Sequence, residues 1–336
     1  MIEKIEIHNF KSVDNLCLIL DNFNCLIGMN GVGKSTILQA IDFISQIMSG
    51  HVQDWLDGRG WFSSDLGSKL IKKRHFIFSV SFRTKSGDDL KWDAKLDGVN
   101  SKCINERIYI NGQRCFVVSN ELFVINKKKY TCSFIYQGSL LSQLKESELP
   151  EEILEFRTAL CSIRSLELLS PQLMRKRTRT SEQDISSGGE KLSAYLHGIK
   201  GEKRERLVGL LKQFYPNLID FKVTSQRAGW KKLSVIERYG ERNLETEASH
   251  LSDGLLRILA ILAQRESDKS LIMLDEIENG INQEIVAKLV EILLNAPQQI
   301  LVTTHSPLIL NYLEDDVARR AALFMYKTPK GQSRMR

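Results

Sequence analysis

An α/β fold with a mixed sheet, an antiparallel β-rich lobe and a helical lobe is what this sequence predicts, and three stretches predict it. LIGMNGVGKST, Leu26 to Thr36, sets a glycine-rich loop between an apolar strand and an amphipathic helix. Residues 75–137 read as antiparallel strands, since HFIFSVSF alternates and Asn111-Gly112 is a hairpin signal between ERIYI and RCFVV. The last third alternates helix 254–265, strand 270–275, helix 283–295, strand 299–304, helix 306–313 and strand 321–327. That rhythm implies a parallel sheet.

The remaining elements follow in order. Residues 2–8 alternate like a strand, and 16–27 hold two apolar runs split by a polar turn. A helix is expected from Lys34 to Met48, with Ile37, Leu38, Ile41, Ile44 and Met48 on one face. A glycine-rich loop then leads into the antiparallel strands, where NKKKY (Asn126 to Tyr130) marks another turn. From Pro150 the pattern turns helical, at 151–165, 188–200 and 202–214, before strands 217–226 and 231–239 joined through RAGW. One unit, 1–336, is expected in three parts: a first lobe 1–149, a helical and hairpin lobe 150–250, and a last part 251–336.

Composition narrows the function classes. A chain of 336 residues, 42% hydrophobic and 26% charged, is globular, with room for one large core or two modest ones. A net charge of +6 permits contact with nucleic acid without arguing for it, since basic faces are usually just solvated. Cys17, Cys25, Cys103, Cys115, Cys132 and Cys161 form no CxxC pair, which argues against a zinc site or a disulfide framework and for reduced thiols in a cytoplasmic protein. MIEKIEIHNFKSV lacks the apolar core of a signal peptide, and LLRILAILA is too short to span a bilayer and carries Arg257, so no membrane association is expected.

The chemistry begins at the loop. LIGMNGVGKST fits GxxxxGK[ST], the phosphate-binding loop of P-loop NTPases. Gly28, Asn30, Gly31 and Gly33 let backbone N–H groups turn inward around phosphate oxygens. Lys34 meets the β- and γ-phosphates, and Ser35 and Thr36 open the helix, with the Ser35 hydroxyl taking Mg²⁺. The bland alternative, a chance glycine-rich turn, does not require the strand before and the helix after. SLIMLDEIENGIN, Ser270 to Asn282, is a buried strand ending in two carboxylates: Asp275 is expected to support Mg²⁺ through water, and Glu276 to polarise the attacking water as general base. QQILVTTHSP puts His305 at the tip of the next strand, within reach of a γ-phosphate; a lone histidine is more often structural.

Together, loop, acidic strand and TTHSP resemble the ABC-type ATPase heads of the SMC, RecF and OLD group, and most of all the RecF/OLD-like ATPases of bacterial anti-phage defence modules. The opening IEIHNFKSV resembles their start motif, which implies that Lys11 approaches the nucleotide. QGSLLSQL resembles their glutamine loop, which implies a Mg²⁺ and water contact for Gln137; ENGIN, Glu278 to Asn282, stands where they carry a dimer-facing loop. The resemblance implies that two heads sandwich two ATP molecules, each offering a signature helix to the other's γ-phosphate.

Two segments compete for that signature. LSDGLLR lies just before the acidic strand, which is where the helix is needed, so Ser252 and Gly254 are the expected contacts, with Asp253 in place of a second glycine. SSGGEK has an ordinary explanation as a capping box, Ser187 to Glu190, opening a helix with Leu192, Tyr195, Leu196 and Ile199 on one face. The charge runs are Arg175 to Arg179, Lys72 to Arg74, Lys127 to Lys129 and Lys200 to Arg206, the last mixing signs as a solvated helix face does.

The expectation is an ATP- and Mg²⁺-dependent homodimeric ATPase switch. It would control a separate effector, a nuclease or toxin, because no TOPRIM-like nuclease segment follows the head. The alternatives are a RecF-like repair ATPase that binds DNA directly, and a P-loop small-molecule kinase, which would need neither LSDG nor His305.

Overall fold

A computed structural model of the chain describes residues 1–70, 73, 75–119, 122–125, 128–167, 169–179 and 184–336. Lys72, Arg74 and Lys127 of the basic runs, and the start of the NKKKY turn, lie outside them. The first lobe holds β1 (Ile2–Phe10), β2 (Val13–Ile19), β3 (Phe23–Ile27), α1 (Lys34–Ser49) and α2 (Val52–Arg59). It continues with β4 (His75–Arg83), β5 (Asp89–Asp97), β6 (Lys102–Ile110), β7 (Gln113–Ser119), β8 (Leu122–Ile125) and β9 (Lys128–Thr131). Next come α3 (Glu151–Cys161), β10 (Arg164–Ser165), α4 (Pro171–Met174), α5 (Leu192–Gly198) and α6 (Gly201–Phe214). A meander, β11 (Leu218–Ser225), β12 (Lys231–Tyr239) and β13 (Arg242–Glu247), leads to α7 (Asp253–Arg265) and β14 (Leu271–Leu274). The chain closes with α8 (Gln283–Leu294), β15 (Gln299–Thr304), α9 (Asp315–Ala321), β16 (Ala322–Lys327) and β17 (Ser333–Met335).

Among the described residues the strands form three sheets. One is antiparallel, in the order β2-β1-β4-β5-β6-β7-β8-β9; another is β10-β14-β15-β3-β16-β17; the third is the β11-β12-β13 meander. In the second sheet β10, β14, β15, β3 and β16 run parallel, so elements from both ends of the chain meet in it. Its strands read as continuous apolar runs because both faces are buried. Leu26, Met273 and Leu301 point into the core shared with α1, α3 and the antiparallel sheet. Cys25, Ile272, Ile300 and Val302, the alternate residues, point into the core built by α5 to α9. The expected two-lobed layout follows from that alternation. No helix among the described residues is long and apolar enough to cross a membrane.

The fold differs from the sequence reading in several places; near its end the expected helix 306–313 is a 3-10 turn, Pro307–Tyr312, and α9 and β17 were not foreseen. The stretch read as a glycine-rich loop after α1 holds α2 and the 3-10 turn Ser63–Leu66; α2 is short and interrupted by Gly58, so its periodicity is faint. The expected helix 151–165 stops at Cys161, and Arg164–Ser165 joins the parallel sheet beside β14. The capping box at Ser187 does not form. Ser186 and Gly189 take positive φ (63° and 82°), Gly189 packs on Met174, and α5 begins only at Leu192 with no side-chain cap. β13 was not foreseen, and its burial pattern, almost wholly exposed, gives no alternation to read.

The first lobe also encloses a carboxylate. Glu106 on β6 is fully buried and accepts bonds from Trp92 Nε1, Ser139 Oγ and Leu140 N. Burial pushes its carboxyl up from 4.5 to about 7, against those bonds. Between those values the native chain holds more protons at this site than the unfolded chain. Stability from Glu106 is therefore greatest below the unfolded value and falls as pH rises toward 7, by at most roughly 3 kcal/mol. Urea unfolding from pH 4.5 to 7.5 should show a flatter decline for Glu106→Gln than for the wild type; equal slopes would mean that Glu106 ionises in the native core as freely as in water.

Candidate nucleotide site

The carboxyl ends of β3, β14 and β15 stand side by side, which is where open parallel sheets bind ligands. From β3 the chain enters the glycine-rich loop and then α1. Gly33 has φ 103°, and a Cβ there would lie 2.3 Å from Ser333 Oγ; a Cβ on Gly28 would lie 2.7 Å from the Met325 carbonyl. The loop is thus confined to glycine at these positions by the strands packed beside it.

Lys34 is buried and folds back over the loop, donating to the carbonyls of Gly28 (2.6 Å) and Met29 (3.1 Å). Ser35 Oγ donates to Asp275 Oδ2 at 2.7 Å, and Asp275 Oδ1 accepts from Thr303 Oγ1. The next residue, Glu276, sits at φ 47°, a strained value for a residue with a side chain, with its N–H donated to the same Thr303 hydroxyl at 2.9 Å. That turn brings Glu276 into a cavity of about 390 Å³ that Lys11, Asn30, Gly31, Gly33, Lys34, Ser35 and Thr36 also line, together with Ser12 and Lys327. Eight of the expected site residues therefore meet in one cavity. Larger cavities, of about 680 and 800 Å³, lie elsewhere and hold none of them.

Lys11 sits in the β1–β2 turn at φ 50°, with its ammonium 3.3 Å from the Trp61 ring centroid and bonded to Gln39 Oε1 at 2.8 Å. Burial lowers its pKa to about 8, with the Arg59 charge adding to the effect. Ser35 and Asp275 offer two hard oxygens side by side. Mg²⁺ is usually held by one or two such protein oxygens plus phosphate and water, so the pair fits that ion.

His305 stands at the tip of β15. One oxygen, Glu278 Oε1, takes its Nδ1 (2.7 Å), its N–H (2.9 Å) and Thr304 Oγ1 (2.8 Å). The ring is oriented by that carboxylate, with no bond to Nε2 among the described residues, but it lines a neighbouring cleft and not the cavity above.

Ser252 caps α7 through Leu255 N at 3.3 Å and is otherwise exposed. Gly254 lies against the Gly280 carbonyl, where a Cβ would come within 3.1 Å, so the helix start is seated on the Glu278–Asn282 loop. Asp253 pairs with Arg175 at 2.5 Å. One turn on, Arg257 is half-buried, with Nε unpartnered among the described residues and the charges of Glu276, Asp275 and Asp253 acting on it. Neither Ser252 nor Gly254 lines the cavity of its own chain.

Gln137 is not brought to the site. Its Oε1 accepts from Gln53 N at 3.1 Å, and the next residue, Gly138, packs on the Ile47 carbonyl at the far end of α1. Ile47 lies thirteen residue steps along α1 from Lys34, about 20 Å along the axis. Just past β10, the strand adjoining β14, stands Glu167 instead, paired with Arg59, which also reaches Asp42 Oδ2 at 3.0 Å. Burial pushes the Glu167 carboxyl up, and Arg59 opposes that shift. Glu167, Arg59 and Lys327 went unread in the sequence, because none belongs to a local pattern, and the contacts that Thr303, Glu278 and Arg257 make there could not be read from the motifs that contain them.

Comparison with known proteins bears on the family and the fold. A family described as "AAA domain, putative AbiEii toxin, Type IV TA system" matches residues 23–93 and 56–311. No curated protein matches the chain. Among solved structures, an SMC head bound to the C-winged helix domain of ScpA superposes with a TM-score of 0.63 at 12% identity, covering 100% of this chain and 96% of that one. The SMC head domain from Thermotoga maritima gives 0.54 at 13% identity, covering 100% and 98%. An Smc head with an extended coiled coil, bound to the C-terminal domain of ScpA derived from Pyrococcus furiosus, gives 0.59 at 11% identity, covering 100% and 95%. The fold is that of an ABC-type ATPase head of the RecF/OLD/SMC group, a P-loop NTPase.

Proposed function

Because the chain belongs to this AAA-domain ATPase family, we propose that it is an ATP-binding, Mg²⁺-dependent ATPase that works as a homodimeric switch on a separate effector. One observation carries the reading: Lys34, Ser35 and Glu276 surround a single cavity with Asp275 bonded to Ser35, while Ser252, exposed, and Gly254, half-buried, stand outside it. A head built so has the hydrolytic half of a site and offers the capping half to another copy. Lys34 would move from the Gly28 and Met29 carbonyls to the β- and γ-phosphates. Ser35 and Asp275 would hold the ion, Glu276 would take the proton of the attacking water, and His305, oriented by Glu278, would steady that water.

The family's description, with its toxin and type IV toxin–antitoxin system, supports a defence setting and an effector under control. Two of the similar heads are bound to parts of ScpA, which supports a head that carries a partner. Direct DNA binding draws less support. Within the Arg175–Arg179 run, Arg175 is neutralised by Asp253 and Arg177 by Glu247, and Arg179 lies over Trp230.

Lys34→Ala tests the core of the proposal. Loss of a charge-assisted contact to phosphate should weaken ATP binding by about 10- to 100-fold and abolish phosphate release at micromolar ATP. Turnover within twofold of the wild type in that variant would remove the loop from the chemistry.

A further inference from the structure

The last hairpin of the chain, β16 and β17, lies beyond residue 311, where the family match ends, yet it walls the nucleotide cavity. β16 runs parallel to β3, pairing Leu323 with Leu26 and Phe324 with Ile27, so its carboxyl end emerges beside the phosphate loop. Lys327 is that end. β17 returns antiparallel and fastens the hairpin to the opposite side of the cavity: Ser333 N donates to the Ser12 carbonyl at 3.0 Å, and the two serine hydroxyls meet at 2.8 Å. Arg334 adds a bond to the Asn15 carbonyl at 2.8 Å. The hairpin therefore bridges the parallel sheet and the β1–β2 turn, and the loop glycines Gly28 and Gly33 are the ones it presses against.

The electrostatics of the cavity point to what the hairpin brings. Among the described residues, three ammonium groups, Lys11, Lys34 and Lys327, line it with one carboxylate, Glu276, and Asp275 stands behind Ser35. Lys327 has no ion-pair partner among the described residues; it is exposed, and its Nζ rests on the Gly31 carbonyl at 3.0 Å. A lysine without a counter-charge, on a flexible four-carbon stem at the mouth of a cationic cavity, is free to turn from a carbonyl to an anion. Gly31 is on the outer crest of the loop, four residues before Ser35, so an anion reached from there is not the one next to Asp275.

We infer that Lys327 is a third phosphate-binding lysine of this cavity, delivered by the terminal hairpin to the phosphates that ATP and ADP share. This rests on the nucleotide-binding reading above. It needs no dimer, so it can stand or fall apart from the switch.

The test is the affinity of the full chain for ADP and for a non-hydrolysable ATP analogue, with Mg²⁺, by isothermal titration. In Lys327→Gln an amide can still donate to the Gly31 carbonyl, so the tether survives and only the charge goes. The dissociation constants for both nucleotides should rise together, by about tenfold, with thermal melting of the nucleotide-free chain unchanged. Lys327→Arg, which keeps the charge, should stay within about twofold of the wild type. Unchanged affinity in Lys327→Gln would overturn the inference, as would equal losses in the Gln and Arg variants, which would make the role one of shape. A loss confined to the ATP analogue would overturn the shared-phosphate assignment. If the wild type binds neither nucleotide, the nucleotide reading itself falls and takes this inference with it; a wild type that binds, beside an unaffected Lys327→Gln, sinks the inference alone.

Discussion

Glu276→Gln is expected to bind ATP as the wild type does and to hydrolyse it about 10²- to 10⁴-fold more slowly, the range that a positioned general base contributes. Two carboxylates end β14, and they stand in different surroundings. Both oxygens of Asp275 are engaged, one by Ser35 Oγ at 2.7 Å and the other by Thr303 Oγ1, so its charge is committed to the hydroxyl that would share the metal. Glu276 has been turned away from the strand. Its φ of 47° is held by the bond from its N–H to Thr303 Oγ1 and by Ile277 N donating to the Thr303 carbonyl at 3.0 Å. Such backbone strain persists only where the surroundings enforce it, and here it turns Glu276 into the cavity that the glycine-rich loop lines. Glutamine keeps the shape and cannot take a proton. Equilibrium binding together with single-turnover phosphate release separates the two effects. A variant that turns over at the wild-type rate would show that another group, or water alone, does the proton transfer.

What could be read in the sequence depended on how locally each feature is determined. The phosphate loop was legible because glycine spacing, the preceding apolar strand and the α1 periodicity are contiguous, and Ser35 and Lys34 stand where that reading expects them. Asp275 and Glu276 were legible for the same reason: four apolar residues and then acid. Gln137 was not, since its place depends on Gly138 packing against Ile47, 91 residues earlier, and nothing near Gln137 records that contact. The Ser187 box failed for a comparable reason. Gly189 must fit against Met174, and the positive φ this requires is incompatible with a helix starting there. Two-residue β10 could not be told from the end of α3, and with it went Glu167, whose neighbours Arg59 and Asp42 come from the first lobe. Lys327 was hidden by a parallel pairing between strands almost 300 residues apart. Local pattern records which residues carry chemistry at strand ends; it does not record which distant strand ends become neighbours.

A mixture of Lys34→Ala chains with Ser252→Arg chains should recover about a quarter of wild-type turnover, although neither variant works alone. Random pairing makes half of the dimers mixed, and each mixed dimer has one intact site of two, hence about one quarter. The geometric reason lies in the run of α7. It leads directly into β14, so it runs back along the sheet, and its first turn stands at the same edge as Asp275 and Glu276. Gly254 against the Gly280 carbonyl, and Arg257 under the charge of Glu276 and Asp275, fix that edge. Yet Ser252 lies outside the cavity of its own head, exposed, with the unsatisfied N–H groups of a 13-residue helix behind it. Those groups carry partial positive charge suited to a phosphate, and their own chain offers them none. A two-fold axis at this edge would set each helix start over the other copy's cavity. An isologous contact does this twice at once. Arginine at Ser252 removes the cap, which costs about 1 kcal/mol of stability, and its bulk would block that approach, so thermal melting must first show that the variant is folded. Mixtures of folded variants that stay silent would mean that the two halves of the site never meet across copies. Full activity from Ser252→Arg alone would mean that the helix start is no part of the site, leaving Lys34 and Glu276 to act within one chain.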